Sequence, residues 1–252
     1  MSPIFRIDGP ATGRENMAMD LTMHEEVCQG TIHSGLRLYS WSPWCVSLGK
    51  HQSVDALNQD AVRDLGLDVV HRPTGGRAVL HAEEVTYCIC VSLPDASRAQ
   101  HIYAAVHDLL YRVLAELAPS LTHASLSSDL RTHYSSQQPI GQACFSSHAK
   151  SEILWNNRKV VGSAQRVMDG VLLQHGSILC EQGHENLAHV IARNDDEAAK
   201  ISSLLLNTSA TLSEAAGHAI SKQDVCSRFE TQRELVVQDL QVISQLARGE
   251  AR

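Results

Sequence analysis

The 252-residue chain is poor in aromatic side chains: three Phe, five Tyr and three Trp make up 4% of it. A broad stacking platform for single-stranded nucleic acid is therefore not expected. Positive charge is also in deficit, with 21 basic against 28 acidic residues and a formal charge of −7, so no global field attracts a phosphate backbone. No run of about 18 apolar residues occurs, which removes a membrane-spanning helix. The N-terminal MSPIFRIDGPATGRENM offers neither an apolar signal core nor a small-residue cleavage site. These absences predict a cytoplasmic protein that binds neither nucleic acid nor membrane.

Two large enzyme classes lose their signatures as well. GxxxxGK[ST] and GxGxxG are both missing, which disfavours a Walker-type NTPase and a Rossmann dehydrogenase. The 14 histidines do not fall at metal-ligand spacing. In HENLAH, His184 and His189 lie about 140° apart around a helix, there is no HExxH, and Cys88 and Cys90 lack a second pair, so no metal is expected. Seven cysteines, at 28, 45, 88, 90, 144, 180 and 226, are odd in number and have no framework spacing; free thiols are expected.

What remains is an ordinary globular composition, 43% hydrophobic and 19% charged, with a mean hydropathy of −0.15. The length suits a single catalytic domain spanning 1–252, its core over about 1–182 and a helical C-terminal segment over about 183–252. Residues 15–28 read as a first helix. LRLYSW (36–41) and CVSLG (45–49) read as short strands joined by Ser42, Pro43 and Trp44, and LDVVH, AVLH and EVTYCICV as three further strands. From Ala99 to Leu117 apolar residues recur with helical period along one face, which predicts a helix packed on a sheet. A polar passage then leads to Cys144. SEILW and RKVVGSAQRV flank Asn156-Asn157, and Asp169-Gly170 precedes VLLQHGSILC, so three antiparallel strands in succession are predicted. A last amphipathic helix is drawn from Arg228 to Arg248. The fold class that follows is α/β of the α+β kind, a mixed, largely antiparallel sheet flanked by helices.

Two stretches carry chemistry. In HRPTGGRAVLH (71–81), Arg72 and Arg77 bracket a Thr74-Gly75-Gly76 turn whose bare backbone N–H groups can face an anion or a carbonyl; the plainer reading is a hairpin turn with exposed arginines. In the second, Cys144 stands on the polar loop and Lys159 in RKVVGSAQ, where Gly162, Ser163 and Ala164 let a ligand approach the backbone closely. A thiol needs a lowered pKa to act as a nucleophile at neutral pH, and a nearby cation supplies it by favouring the thiolate. The plainer reading is a buried cysteine and a solvated lysine.

Taken together and in this order, ENMAMD, WCVSLGKHQ, HRPTGGRAVLH and RKVVGSAQR resemble the biotin/lipoate protein ligase and acyltransferase superfamily over roughly residues 15–180. The cysteine in ACF fifteen residues before the lysine, and QHGSIL after it, are similar to the LipM-type octanoyltransferases. That resemblance implies that Cys144 accepts an octanoyl group from acyl carrier protein and passes it to a lysine of a lipoyl domain, either glycine cleavage H protein or a 2-oxoacid dehydrogenase E2 subunit. It further implies that Lys159 stabilises charge at the carbonyl, and that Arg72, Thr74, Gly75, Gly76, Arg77, His81, Gly162, Ser163 and Ala164 bind substrate. No cofactor or ATP is implied. An ATP-dependent lipoate ligase working through an acyl-adenylate stays open beside it, with the thiol then incidental. Val79 is expected to line an acyl tunnel. Because acyl carrier proteins and lipoyl domains are usually acidic too, a local basic patch of Arg72, Arg77, Lys150, Arg158, Lys159 and Arg166 is expected to offset the net charge.

Overall fold

The first helix begins where its cap dictates. Thr12 accepts a hydrogen bond from the Glu15 N–H, and the Glu15 carboxylate accepts one in return from the Thr12 N–H, a reciprocal capping box. In the computed structural model, which describes residues 2–123 and 152–250, helix α1 (Gly13–Cys28) follows strand β1 (Ile4–Ala11). Cys144 and Lys150 lie outside the described residues.

The strands come where the alternating patterns put them: β2 (Ser34–Trp41), β3 (Cys45–Leu48), β4 (Asp68–His71), β5 (Val79–His81) and β6 (Glu84–Ser92), with helix α2 (Gln59–Asp64) before β4. Helix α3 (Ala99–Leu114) leads to β7 (Thr122–His123). Then come β8 (Ile153–Trp155), β9 (Arg158–Met168) and β10 (Val171–Leu179). The turns between these last three use the predicted residues: Asn156 and Asn157 have φ of 48° and 60°, Asp169 and Gly170 of 50° and 73°, values that asparagine, aspartate and glycine tolerate best.

Among the described residues the larger sheet has the order β1-β2-β6-β10-β9-β8-β7, antiparallel except for the β1/β2 pair. A smaller sheet, β4-β3-β5, stands beside it. The predicted strands 36–41 and 45–49 therefore do not pair with each other: the chain leaves one sheet at Trp41 and enters the other at Cys45.

Side chains alternate across the larger sheet with period two. Leu36 and Leu38 of β2, with Val85, Tyr87, Ile89 and Val91 of β6, join Ile102, Val106, Leu109, Leu110 and Val113 of α3 in one core. Tyr39, Trp41, Cys88, Cys90 and Leu173 point the other way, against Met17, Met23 and Val27 of α1. A third cluster covers the small sheet with α4 (Leu187–Ile191) and α5 (Asp195–Thr208). The remaining helices are α6 (Leu212–Ala216), α7 (Lys222–Thr231) and α8 (Arg233–Arg248). The helix drawn from Arg228 to Arg248 is thus two, broken at Gln232, whose backbone leaves the helical region (φ −101°, ψ 22°). Both belong to the sheet's own core: the Phe229 ring meets that of Phe5 at 6.5 Å, tilted by 45°, and Val236, Leu240 and Ile243 pack with the residues of α3 and β6. No described helix is long and apolar enough to cross a membrane.

Candidate active site

Between the two sheets lies a cavity of about 30 Å³. The large sheet contributes Tyr39, Trp41, Thr86, Gly162, Ser163, Ala164, His175, Gly176 and Ser177; the small sheet and its ligand loop contribute Ser47, Arg72, Val79 and His81; Met17 of α1 joins them. Antiparallel register sets Ala164 opposite His175 and Gly162 opposite Ser177, so one stretch of β9 and one of β10 reach the cavity together. Gly176 is required here. A Cβ on it would stand 2.3 Å from the Gly162 carbonyl oxygen and 2.6 Å from Ser163 Oγ. Val79 lines the cavity as expected.

Of the predicted binding residues, Arg72, His81, Gly162, Ser163 and Ala164 are brought into this wall. Arg72 serves first to hold its own loop. Its guanidinium is buried and donates to the carbonyl oxygens of Ser47 (2.9 Å), Gly75 (2.9 Å) and Arg77 (2.6 Å), and to Ser47 Oγ (3.2 Å). Gly76, at φ 97°, leaves room for that side chain, because a Cβ there would sit 2.9 Å from Arg72 Nη2. Thr74 is buried, with Oγ1 2.6 Å from His175 Nε2. His175 Nδ1 in turn lies 3.6 Å from the Asp20 carboxylate, which also binds Arg37 Nη1 (2.6 Å) and the Tyr39 hydroxyl (2.9 Å). Burial lowers the pKa of His175 although the Asp20 charge works against it. Gly75, Gly76 and Arg77 shape the loop and are not among the cavity-lining residues.

Lys159 stands at the start of β9, outside the group that lines the cavity. Its ammonium is 2.6 Å from the Glu152 carboxylate, with both side chains buried. Deeper along the strand, four groups form a chain with one consistent direction of donation. Gln174 donates to the Tyr87 hydroxyl (2.8 Å), Tyr87 lies 2.6 Å from Ser163 Oγ, Ser163 Oγ is 3.0 Å from His107 Nε2, and His107 Nδ1 donates to the Tyr103 carbonyl (2.9 Å). Burial pushes the His107 pKa down to about 4, opposed by the Tyr103 carbonyl and reinforced by the nearby His123 and Lys159 charges.

Among the described residues, four members of the expected basic patch turn to partners within the fold. Arg158 pairs with Glu214 (2.9 Å) and packs over Trp155, Arg166 donates to the Pro73 carbonyl (2.9 Å), Lys159 faces Glu152, and Arg72 is inside the loop. Charges placed near backbone carbonyls and carboxylates fold back to satisfy them, because a buried unpaired acceptor costs more than an exposed cation gains.

Several residues of the wall and of the groups behind it carried no separate signal in the sequence. Asp20, Ser47 and His175 fall inside the motifs ENMAMD, WCVSLGK and QHGSI; of these, period-two counting finds the face of His175, two residues before Ser177 on β10. Glu84, Glu152 and His107 do not; His107 lies on the apolar face of α3, between Tyr103 and Leu110.

The chain matches the model of the lipoyl protein ligase A/B catalytic domain over residues 12–234. It belongs to that family. Within the lipoyl protein ligase A/B family, Octanoyltransferase LipM of Clostridioides difficile (strain 630) is 37% identical over 189 residues, 73% of this chain and 68% of the relative. Octanoyltransferase LipM of Lysinibacillus sphaericus (strain C3-41) is 33% identical over 202 residues, covering 77% and 71%. Among solved structures, a bi-partite lipoate protein ligase from Thermoplasma acidophilum superposes with a TM-score of 0.68 at 14% identity, covering 100% of this chain and 98% of that one. Lipoate-protein ligase A bound with ATP gives 0.66 at 17%, covering 99% and 94%. These two likenesses establish the mixed, largely antiparallel fold expected from the sequence.

Proposed function

We propose that this protein is an octanoyltransferase of protein lipoylation, taking octanoyl from acyl carrier protein and delivering it to a lipoyl-domain lysine through a thioester on Cys144. The observation that carries this reading is the set of relatives named Octanoyltransferase LipM, 37% identical over 73% of the chain in one case and 33% over 77% in another. Further support comes from the cavity, whose Val79, Met17 and Trp41 offer apolar wall to an alkyl chain. At about 0.8 kcal/mol per buried methylene, full burial of an eight-carbon chain would supply several kcal/mol.

In the first half-reaction the Cys144 thiol gives up its proton and the thiolate attacks the thioester carbonyl; the carbon–sulfur bond to the carrier breaks, and the carrier thiolate leaves and takes up the proton that Cys144 released. In the second, the neutral lysine amine of the lipoyl domain attacks the acyl-cysteine; an amide forms and the Cys144 thiol is restored. Thioester to amide runs downhill, so no ATP enters. Lys159 supplies the cation for the developing oxyanion, and Glu152 fixes the direction of its ammonium and keeps the buried charge paired until substrate arrives. Gly75 and Gly76, held in shape by Arg72, offer backbone N–H groups to the ligand. The lipoyl-domain acceptor is H protein or an E2 subunit, and the reaction takes place in the cytoplasm.

Intact-protein mass spectrometry after mixing the protein with octanoyl acyl carrier protein, without ATP, tests the reading. The expected result is a gain of one octanoyl group, absent in Cys144→Ala. No adduct on the wild type, with lipoyl-domain modification appearing only after ATP and free acid are added, would replace it by the ligase reading.

A further inference from the structure

Ser47 and His81 come from neighbouring strands of the small sheet. The β3/β5 register pairs Ser47 with Val79, so Ser47, Val79 and His81 share one face, and all three line the cavity. His81 Nε2 lies 2.7 Å from Ser47 Oγ, and His81 Nδ1 lies 2.7 Å from Oε1 of Glu84, which is 1% exposed.

One placement of the protons in this array readies Ser47 for attack, with Ser177 Oγ a further neighbour of His81 Nδ1 at 3.4 Å. Trp41 Nε1 can only donate, and it donates to Thr86 Oγ1 (2.7 Å); Thr86 therefore passes its own proton to Glu84 Oε1 (2.5 Å). Glu84 is ionised: burial alone would raise its pKa, but the His81 ring and the Thr86 and Ser177 hydroxyls together hold it below the usual carboxylate range. An ionised carboxylate only accepts, so His81 Nδ1 carries a proton toward it, and in the neutral ring Nε2 accepts from the Ser47 hydroxyl. Arg72 Nη1 donates to the back of Ser47 Oγ at 3.2 Å. The Trp41 ring stacks on the imidazole at 4.2 Å and 16°, which favours the cationic ring that proton transfer creates.

Nucleophile bonded to base, base bonded to a buried acid, and a cation beside the oxygen are the relations by which a hydrolytic triad is recognised on any fold. We infer that Ser47, His81 and Glu84 form a second acyl-accepting centre in this cavity, a triad that cleaves medium-chain acyl thioesters and esters. It takes the same acyl pocket as the proposed transferase reading. Ser47 Oγ attacks the acyl carbonyl while His81 Nε2 removes its proton; the carbon–sulfur bond breaks and the thiolate leaves with the proton that His81 returns. Water, deprotonated by His81 in turn, attacks the resulting serine ester, frees the carboxylic acid and restores the Ser47 hydroxyl. Ser47 and His81 touch the reacting atoms and are catalytic; Glu84 is a positioning residue.

Cys144→Ala protein treated with an octyl fluorophosphonate tests this with the thiol removed. One phosphonyl group is expected, mapped by peptide mass to Ser47. That mapping needs no Ser47 variant to fold. His81→Gln should slow the labelling by about 100-fold or more, and Glu84→Gln should lower the maximal labelling rate without raising the half-saturating probe concentration. Release of octanoate from octanoyl-pantetheine by Cys144→Ala should vanish in Cys144→Ala/Ser47→Ala. Absence of the adduct, its mapping to another residue, or octanoate release unaffected by Ser47→Ala would each overturn the inference. Octanoylation of Cys144 by the carrier protein without Ser47 labelling would remove the triad alone. Ser47 labelling without Cys144 octanoylation would remove the transferase reading alone.

Discussion

His107 is neutral in the fold, with its pKa pushed down to about 4 by burial and by the charges of His123 and Lys159. Free histidine titrates near 6.5. Between those values the unfolded chain holds a proton that the native chain refuses, so stability is complete above about pH 6.5 and is lost as pH falls toward 4. The full loss from this one ring is about 3 kcal/mol, of which about 1.4 kcal/mol has gone by pH 5.5. His175 and His184, also lowered by burial, act in the same direction, so a simple acid titration would sum all three. The contribution of His107 is isolated by difference. Urea unfolding of the wild type and of His107→Gln, measured from pH 7.5 to 4, should give a stability gap that is constant above about pH 7. The gap should then shrink by about 3 kcal/mol on the way to pH 4, because the variant has no imidazole to protonate. Parallel curves over that range would show that His107 is accessible to protons in the native state, and the reasoning from burial would fail.

Arg72→Ala removes four donated hydrogen bonds, three of them to the carbonyls of Ser47, Gly75 and Arg77. It should cost about 3 kcal/mol in a urea midpoint experiment; a variant as stable as the wild type but slower to bind acyl carrier protein would restore the docking role first expected of this arginine. Gly49→Ala drives a methyl to 2.1 Å from the Gly76 carbonyl oxygen, backbone against backbone. A loss of about 1–3 kcal/mol is expected from such overpacking, read as a fall in Tm; an unchanged Tm would mean that the ligand loop yields freely.

Local rules made most of the fold legible. Asn156-Asn157 and Asp169-Gly170 announced their turns because few residues tolerate positive φ, and the 99–114 helix showed its apolar face in full. Relations between distant segments were not legible. β1 pairs parallel to β2 across the whole of α1, and nothing inside IFRIDGPA specifies that partner. The break at Gln232 carries no proline or glycine to mark it. In the site, residue types were readable and directions were not. Arg72, Thr74 and His81 stood out in HRPTGGRAVLH, but that Arg72 turns inward onto its own loop and that His81 meets Ser47 depends on the register of the small sheet. Glu152 and Glu84 pass for surface acids in sequence until the strands bury them against Lys159 and His81.

The joining of Phe5 to Phe229, with Arg233 donating to the Phe5 carbonyl at 3.0 Å, also sets a timetable for biosynthesis. Some 224 residues separate the two rings, so at about 5–20 residues per second the ribosome needs roughly 10–45 s to supply the partner after Phe5 has been made. Through that interval the first strand has an uncovered apolar ring, a natural point for a chaperone to engage the nascent chain.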